Sequence, residues 1–386
     1  MALATAIILS INKHAELRRQ LLYYANKPVH LILADGSSDD WTSGSCGSIG
    51  EMTWEYFRIS GPKTYLKRLA EASRRLQTEY VFLVDHEECI LWSGVKAAIA
   101  FLKDNEDHSC AGGRADTTQQ SRRRISLVPH YNWKNKFCLL EESALERFRI
   151  AFQSKRTRDL TYQVKRSTDL RVFAETVEEV NLVGRSRYVP EYLQYGFFVL
   201  IGKYNGQTFP YWIRNGGSTP TVLGDPDLPT RADYEEMSEF IVEAFEKRSS
   251  NKRIQKTDLD FSKLTEIMSW KLKQKNSFVV DVSEEIKRSQ IPPNVFSRSA
   301  VSKALTAGQI LYDHLPNVYH LFRPDGYQTF SMYARKYSNG SQEITQDLAL
   351  IEKIWNEFPF GVSIAGFKKL YESGISRFQY FYCINA

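Results

Sequence analysis

Long apolar runs are missing from this sequence, and their absence narrows the classes of protein to consider. No stretch approaches the ~18 apolar residues that a membrane-spanning helix needs. The Met1–Ile11 segment lacks the basic start of a secretion signal, and we expect a strand there instead. With 42% hydrophobic and 25% charged residues, the composition is typical of a globular protein. We therefore expect one large core or two domains in the cytoplasm, at most touching the inner face of the membrane.

Cysteine is scarce and follows no pattern. The five cysteines are odd in number and include no C-x-x-C pair. This argues against a zinc site and a disulfide framework, and it favours a reducing compartment. A glycine-rich, basic phosphate loop is also missing after the first apolar run, where Ser10-Ile-Asn-Lys-His stands. That absence disfavours a nucleotidyltransferase.

Positive charge is concentrated in the middle of the chain. The whole sequence has a net charge of +6, whereas the segment from Arg114 to Arg187 contains 16 Lys or Arg and 9 Asp or Glu residues. A solvated basic face would explain this segment. Attraction to an anionic acceptor, a diphosphate-linked lipid or a membrane surface would explain it equally well. No nucleic-acid-binding motif accompanies the charge, so we expect no nucleic acid partner.

Strands and helices alternate along the first part of the chain. Short apolar runs predict the strands, and apolar residues at helical spacing predict the helices between them. The predicted strands are Thr5–Ser10, Val29–Ala34, Trp54–Ile59 and Tyr80–Val84, and the predicted helices are His14–Asn26, Pro62–Leu76 and Gly94–Leu102. This alternation predicts an α/β fold with a mostly parallel sheet covered by helices.

The second part of the chain is predicted to be richer in helix. The predicted helices are Leu139–Phe152, Thr168–Val180, Pro190–Leu200, Arg231–Lys247, Phe261–Leu272, Arg298–Leu311 and Glu343–Phe358, with strands at Cys110–Arg114 and Thr208–Arg214. The polar segment 248–256 predicts a domain boundary. We therefore expect a first domain over residues 1–247 and a mainly helical carboxy-terminal domain over residues 257–386.

The most informative feature is a group of acids at the end of an apolar strand. The run that starts at Tyr80 ends in Asp85-His86-Glu87-Glu88. Buried carboxylates need a partner or a cation, and ligands of open α/β sheets bind beyond the carboxyl ends of the strands. Asp85 and Glu87, with His86 as a further ligand, therefore predict a Mg²⁺ or Mn²⁺ site that holds phosphates. A solvated strand end, with His86 only ion-paired, is the alternative.

Two further carboxylates suit the same kind of site. Asp35 ends the second predicted strand in a turn-rich segment, where it can accept hydrogen bonds from a nucleoside base or ribose. Glu191 follows Pro190 at the start of a predicted helix and is a candidate general base for an acceptor hydroxyl. An ordinary turn residue and an ordinary surface residue are the respective alternatives.

Nine short segments of the sequence carry a resemblance by their residues and their order. They are Ile7–Leu17, Leu33–Asp39, Leu66–Leu69, Thr78–Val81, Asp85–Glu87, Ala111–Gly113, Glu191–Leu193, Ile201–Lys203 and Tyr211–Ser218. Together they resemble glycosyltransferases of the GT-A fold, family 2, in the bacterial polysaccharide-building group, over residues 4 to about 245. Asp85-His86-Glu87 stands in the place of the family's D-x-D motif, with Glu87 replacing the second aspartate. Val189-Pro-Glu191 has one acid where the family often has two.

The resemblance implies a metal-dependent, inverting transferase with a nucleotide-diphospho-sugar donor and a saccharide or lipid-linked acceptor. It assigns donor binding to Asn12, Asp35, Lys67, Asp85, Gly112 and Gly113, a Mn²⁺ or Mg²⁺ ion to Asp85, Glu87 and His86, and catalysis to Glu191. The basic segment would receive an anionic acceptor. The helical carboxy-terminal region would shape the acceptor site or mediate self-association into a homo-oligomer. The alternative is a non-catalytic carbohydrate- or partner-binding protein with a degenerate site of this fold.

Overall fold

A computed structural model describes residues 2–38, 46–61, 64–121, 124–129, 138–153, 157–182, 189–215, 229–251, 262–269, 328–329 and 340–357. These residues form a sheet of twelve strands with helices on its faces. The strands are β1 (Ala4–Ser10), β2 (Val29–Asp35), β3 (Cys46–Ile49), β4 (Met52–Arg58), β5 (Tyr80–Asp85), β6 (Cys89–Ile90), β7 (His108–Ser121), β8 (Arg124–Pro129), β9 (Cys138–Leu139), β10 (Val164–Arg166), β11 (Lys203–Asn215) and β12 (Gln328–Thr329). The helices are α1 (His14–Tyr24), α2 (Tyr65–Arg74), α3 (Trp92–Asp104), α4 (Ala144–Gln153), α5 (Ser167–Val177), α6 (Val189–Ile201), α7 (Arg231–Asn251), α8 (262–269) and α9 (Gln342–Glu357), and a 3-10 helix spans Thr157–Tyr162.

The first strands form a parallel sheet, as the alternation predicts. β5, β1, β2 and β4 lie side by side in that order, and each neighbouring pair is parallel. In β1, β2 and β5 the apolar residues follow one another without alternation because helices cover both faces of the sheet. The register pairs Ser10 with Asp35 and Leu9 with Asp85. The carboxyl ends of β1, β2 and β5 therefore meet at one edge.

The remaining strands extend the sheet in mixed directions. β7 and β11, of 14 and 13 residues, run parallel to each other across several register shifts. β6, β8, β9, β10 and β12 attach only by antiparallel pairs. Most paired residues still belong to parallel ladders, so the predicted mostly parallel α/β fold is confirmed. The sequence does not predict β3, β6, β9, β10 or β12, because each has only two to four residues, and it also misses β8, which has six.

A hydrophobic core lies on each face of the sheet. Residues of α1, α3 and α9 form one core, and residues of α2 and α4–α8 form the other. On α2, Leu66, Leu69 and Ser73 recur at helical spacing and are buried, as the sequence predicts. Among the described residues, no helix has both the length and the apolar character needed to cross a bilayer.

The described parts of the predicted carboxy-terminal domain pack on the same sheet. Leu264 and Met268 of α8 join one core, and Leu348 and Ile351 of α9 join the other. Both helices fall where the sequence predicts them. The predicted helix Arg298–Leu311 lies wholly outside the described residues, and the predicted boundary at 248–256 lies mostly outside them. The division into two domains therefore stays a prediction.

Candidate active site

The turns after β1 and β2 are joined at the shared strand edge. Asn12 follows β1 with a φ angle of +53°, in the left-handed region that asparagine tolerates better than most residues. Its backbone N–H donates to the Ser37 hydroxyl oxygen at 2.6 Å. Ser37 in turn belongs to the segment that follows Asp35. The structure thus places Asn12 beside the turn that follows Asp35. Donor binding by Asn12 stays a prediction.

Asp35 is fully buried, and protein groups hold its carboxylate. Oδ1 accepts hydrogen bonds from the Ser37 N–H at 3.1 Å and from the Ser37 hydroxyl at 2.6 Å. Oδ2 accepts one from the Tyr56 hydroxyl at 3.0 Å. These bonds compensate for burial of the charge and fix the turn. A nucleoside would have to reach a carboxylate without exposed surface, so donor binding by Asp35 stays a prediction.

A buried arginine that the sequence reasoning missed ties the same turns to α2. Arg68 donates to the backbone oxygen of Ser10 and, at 3.0 Å, to that of Ala34. A Cβ at Gly36 would lie 2.9 Å from Arg68 Cζ, so glycine leaves room for the guanidinium. The adjacent residue in sequence, Lys67, instead has a side chain 54% exposed, with its Nζ atom 4.0 Å from Glu179. Donor binding by Lys67 stays a prediction.

Asp85 differs from Asp35 in being open to solvent. Its side chain is 39% exposed, and Oδ1 lies 2.8 Å from Nδ1 of His86. Burial works to raise the pKa of Asp85, but His86, the Glu87 N–H and Arg214 outweigh it and lower that pKa below its ordinary value. Asp85 is therefore an ionised, accessible carboxylate at a strand end, the kind of group that binds a hard cation.

His86 and Glu87 are already engaged in ion pairs. Glu87 Oε1 lies 2.5 Å from Lys13 Nζ and 3.9 Å from His86 Nε2. Burial works to lower the pKa of His86, but Asp85 and Glu87 raise it overall. Within the part of the chain that the structure describes, no three Asp, Glu, His or Cys side chains are grouped to hold a metal ion. Metal binding by these residues stays a prediction.

Glu88 joins the acidic turn, Asp85–Glu88, to β11. Its carboxylate accepts hydrogen bonds from Trp212 Nε1 at 2.5 Å and from Arg214 Nε at 3.0 Å. Burial raises the pKa of Glu88 to about 7 although Arg214 lowers it. Trp212 and Arg214 lie 124 and 126 residues further along the chain. Only the pairing of β6 with β11 brings them here, so no local sequence pattern predicts this contact.

Glu191 lies in the first turn of α6. Burial and the charges of Glu191 and Asp85 raise the pKa of Tyr65, at the start of α2. Burial and the charges of Glu88, Asp85 and Glu191 likewise raise the pKa of Tyr162. Both tyrosines are thus electrostatic neighbours of the two carboxylates. The position of Glu191 at the donor site and its role as a general base stay predictions.

Gly112 and Gly113 lie in β7, where protein atoms fill the space beside them. A Cβ at Gly112 would lie 1.3 Å from Gln163 Oε1, and a Cβ at Gly113 would lie 2.6 Å from the Phe209 oxygen. Close packing inside the protein therefore accounts for both glycines. Approach of a donor to their backbone stays a prediction.

The basic segment includes residues with structural partners. Arg114 is buried beside Asp116, with Nε and Oδ1 3.0 Å apart. Arg147 donates to the Val199 oxygen at 2.9 Å. Lys165 is buried, and its ammonium donates to two backbone oxygens. Arg122, Arg123, Lys134, Lys136, Lys155, Arg156, Arg185 and Arg187 lie outside the described residues, so a basic acceptor surface stays a prediction.

Comparisons with known proteins leave the family open. No family model matches the chain, and no curated protein matches it. Similar solved structures include S. aureus TarS 1–349, with 13% identity, 93% of each chain covered and a TM-score of 0.46. S. aureus TarS matches with 15% identity over 72% of this chain and 44% of its own, at a TM-score of 0.43. S. aureus TarS 1–349 in complex with UDP-GlcNAc matches with 14% identity over 93% of this chain and 92% of its own, at a TM-score of 0.41. Likeness at this level does not establish a function.

Proposed function

We propose that this chain is a glycosyltransferase that takes a sugar from a nucleotide-diphospho-sugar donor. The observation that carries the proposal is the ionised, partly exposed Asp85 at the edge where the parallel strands end. Ligands of open α/β sheets bind at this edge. Besides burial, the charges of Asp85 and Glu191 both raise the pKa of Tyr65 and of Tyr162. The resemblance to GT-A glycosyltransferases of family 2 assigns Asp85 to the donor site and Glu191 to catalysis.

Asp85 is the residue that best fits a divalent cation. Mg²⁺ in proteins is usually bound through one or two carboxylates together with substrate phosphates. The partly exposed, ionised Asp85 suits an ion that arrives with a diphosphate. Glu87 would join it only by exchanging Lys13 for the cation. A bound Mg²⁺ or Mn²⁺ ion would stabilise the negative charge of the departing diphosphate.

Glu191 is proposed to act on the acceptor. Its carboxylate would take the proton of an acceptor hydroxyl, whose oxygen then attacks the anomeric carbon of the donor sugar. The bond from that carbon to the diphosphate breaks on the opposite side, so the sugar is transferred with inversion. The acceptor would be a saccharide or a lipid-linked saccharide, with the basic segment attracting its anionic groups. The reaction would take place in the cytoplasm or at the inner face of the membrane.

A non-catalytic binding protein is the second candidate, and the ion pairs of the acidic turn favour it. Lys13 neutralises Glu87, the residue that replaces the second aspartate of the D-x-D motif. Among the described residues, no ready group of three metal-binding side chains exists. Such a protein would bind a nucleotide sugar or a glycan without turning it over.

A ligand screen followed by product analysis separates the two candidates. The thermal stability of the chain would be measured with UDP, GDP, CMP and their sugars, with and without Mn²⁺. A ligand at ~100 times its dissociation constant stabilises a protein by about 2.7 kcal/mol. Any donor that binds would then be tested for sugar transfer and hydrolysis by mass spectrometry.

The outcomes distinguish the proposals. Mn²⁺-dependent stabilisation together with transfer or hydrolysis supports the glycosyltransferase. Stabilisation without any turnover supports the binding protein. Asp104→Asn, a change at an exposed residue at the end of α3, is the matched control and should behave like wild type. If no nucleotide or nucleotide sugar stabilises the wild type, the glycosyltransferase proposal is wrong, and a binding protein would have to recognise a glycan without a nucleotide.

A further inference from the structure

One side chain of α1 holds the backbone of the acidic turn. Gln20 is only 3% exposed. Its Nε2 atom lies 3.3 Å from the backbone oxygen of Asp85 and 3.4 Å from that of His86, and it also donates to the backbone oxygen of Glu88. The position of the Asp85 carboxylate therefore depends on where α1 lies.

The next turn of α1 holds the chain that follows the acidic turn. The Tyr24 hydroxyl donates to the Ile90 oxygen at 3.0 Å, and the Tyr23 hydroxyl accepts from the Trp92 N–H at 3.0 Å. Residues three and four apart lie on one side of a helix, so Gln20, Tyr23 and Tyr24 present one continuous face. This face holds residues 85–92 up to the start of α3.

The carboxy-terminal helix α9 joins the two elements that flank this segment. Asp347 is 4% exposed. Its Oδ1 accepts from Lys27 Nζ at 2.7 Å, just beyond α1, and its Oδ2 accepts from the Ser93 N–H at 2.8 Å, in the first turn of α3. The first N–H groups of a helix have no partner within that helix. Asp347 thus caps α3 and binds the end of α1 with the same carboxylate.

Apolar residues of α9 place this helix directly behind the acidic turn. α9 packs against both α1 and α3. Its Ile351 and Ile354 line a cavity of about 10 Å³ together with Gln20 and Glu88. A displacement of α9 would therefore change the cavity beside Gln20 as well as acting on α1 through Asp347.

We propose that Asp347 is a positioning residue for the acidic turn. It fixes α1 against α3, so that Gln20 keeps Asp85 in place for a donor diphosphate. The donor site is then completed by a residue 254 positions after Ser93, in a part of the chain that the resemblance does not include. The choice of ligand rests on the proposed function, whereas the fixing of residues 85–92 does not.

The test compares two buried-site variants with a surface control on the same helix. Asp347→Asn keeps the shape of the side chain and removes the charge facing Lys27, and Asp347→Ala removes both bonds. Glu343→Ala is the matched control, because Glu343 also joins α9 to α3, through Lys96, but with side chains 47% and 39% exposed. If Asp347→Ala does not fold, Asp347→Asn carries the test.

Two readouts separate positioning from general stability. Hydrogen exchange of the amides in residues 85–92, measured without ligand, should become about tenfold faster in the Asp347 variants. The affinity for UDP with Mn²⁺, measured where each variant is fully folded, should fall about tenfold, as for other groups that orient a ligand-binding residue. Both should be unchanged in Glu343→Ala. Gln20→Met should show the same loss of affinity, and combining it with Asp347→Asn should add little.

Unchanged exchange at residues 85–92 in the Asp347 variants would overturn the proposal. Unchanged UDP affinity accompanied by a lower melting temperature would overturn it too, because Asp347 would then only stabilise the fold. If wild type binds no UDP, the proposed choice of ligand fails, and the exchange measurement alone decides whether Asp347 positions the turn.

Discussion

Two strand ends at the same edge of the sheet carry an aspartate, yet they differ in what surrounds it. Asp35, at the end of β2, has no exposed surface and bonds to Ser37 and Tyr56. Asp85, at the end of β5, has a side chain 39% exposed and is ionised beside His86. The same pattern of an apolar strand followed by aspartate thus gives a turn anchor in one place and an available ligand group in the other. The difference lies in the partners: Ser37 and Tyr56 donate to the Asp35 carboxylate, whereas His86, the next residue in sequence, lies beside the Asp85 carboxylate.

The largest expected effect concerns Asp35, the buried aspartate. Asp35→Ala leaves the Ser37 and Tyr56 donors without their acceptor, so we expect a loss of about 3 kcal/mol in the free energy of unfolding. Urea denaturation would measure it, with Asp104→Asn as the control. If Asp35→Ala is as stable as wild type but binds nucleotide more weakly, Asp35 is a donor ligand, and the contrast between the two strand ends disappears.

The next effect concerns Glu191, the proposed general base. Glu191→Gln should lower turnover about a hundredfold, the scale of general-base loss, with nucleotide affinity nearly unchanged. Steady-state kinetics and nucleotide titration would measure both, and Glu175→Gln, at an exposed position of α5, is the control. Wild-type turnover in Glu191→Gln would remove the proposed base. Asp225 and Asp227, which lie outside the described residues, would then be the next candidates.

The third effect is a dependence of stability on pH that comes from the buried Lys165. Lys165 is fully buried, and desolvation lowers its pKa from 10.5 to about 7. Between these values the unfolded chain binds more protons than the folded chain, so the contribution of Lys165 makes stability rise as pH increases from about 7 to 10.5. The slope is at most about 1.4 kcal/mol per pH unit. Lys165→Met should remove this rise in urea denaturation curves, and a retained rise would show that Lys165 keeps its proton.

The smallest expected effect concerns Lys13, which forms an ion pair with Glu87 of the acidic turn. Lys13→Met releases Glu87 from its ion pair, and exposed ion pairs contribute less than about 1 kcal/mol. We therefore expect Mn²⁺ affinity in the presence of UDP to rise a few-fold at most. A fall in affinity would instead place Lys13 itself on the diphosphate.

Local patterns predict the fold better than they predict the site. The consecutive apolar residues of β1, β2 and β5 and the helical spacing on α2 are local, so the parallel core follows from the sequence. The Glu88–Trp212 bond and the Asp347–Ser93 bond join residues 124 and 254 positions apart. No periodicity indicates such contacts. Asp35 and Asp85 both end an apolar strand, and their different exposure arises only in the folded chain, so the local pattern treats the two aspartates alike.

Titration of UDP into the wild type and Asp85→Asn, each with and without Mn²⁺, tests most directly whether Asp85 is the available ligand group. We expect wild type to bind UDP in a Mn²⁺-dependent way. Asp85→Asn should lose the Mn²⁺ dependence and about a hundredfold in UDP affinity, while its stability stays the same. Removing a residue that only orients a metal ligand already lowers metal affinity about ten- to a hundredfold, so removing a direct ligand should cost at least as much. Equal UDP affinity in the two proteins, with Mn²⁺ making no difference to either, would contradict the account.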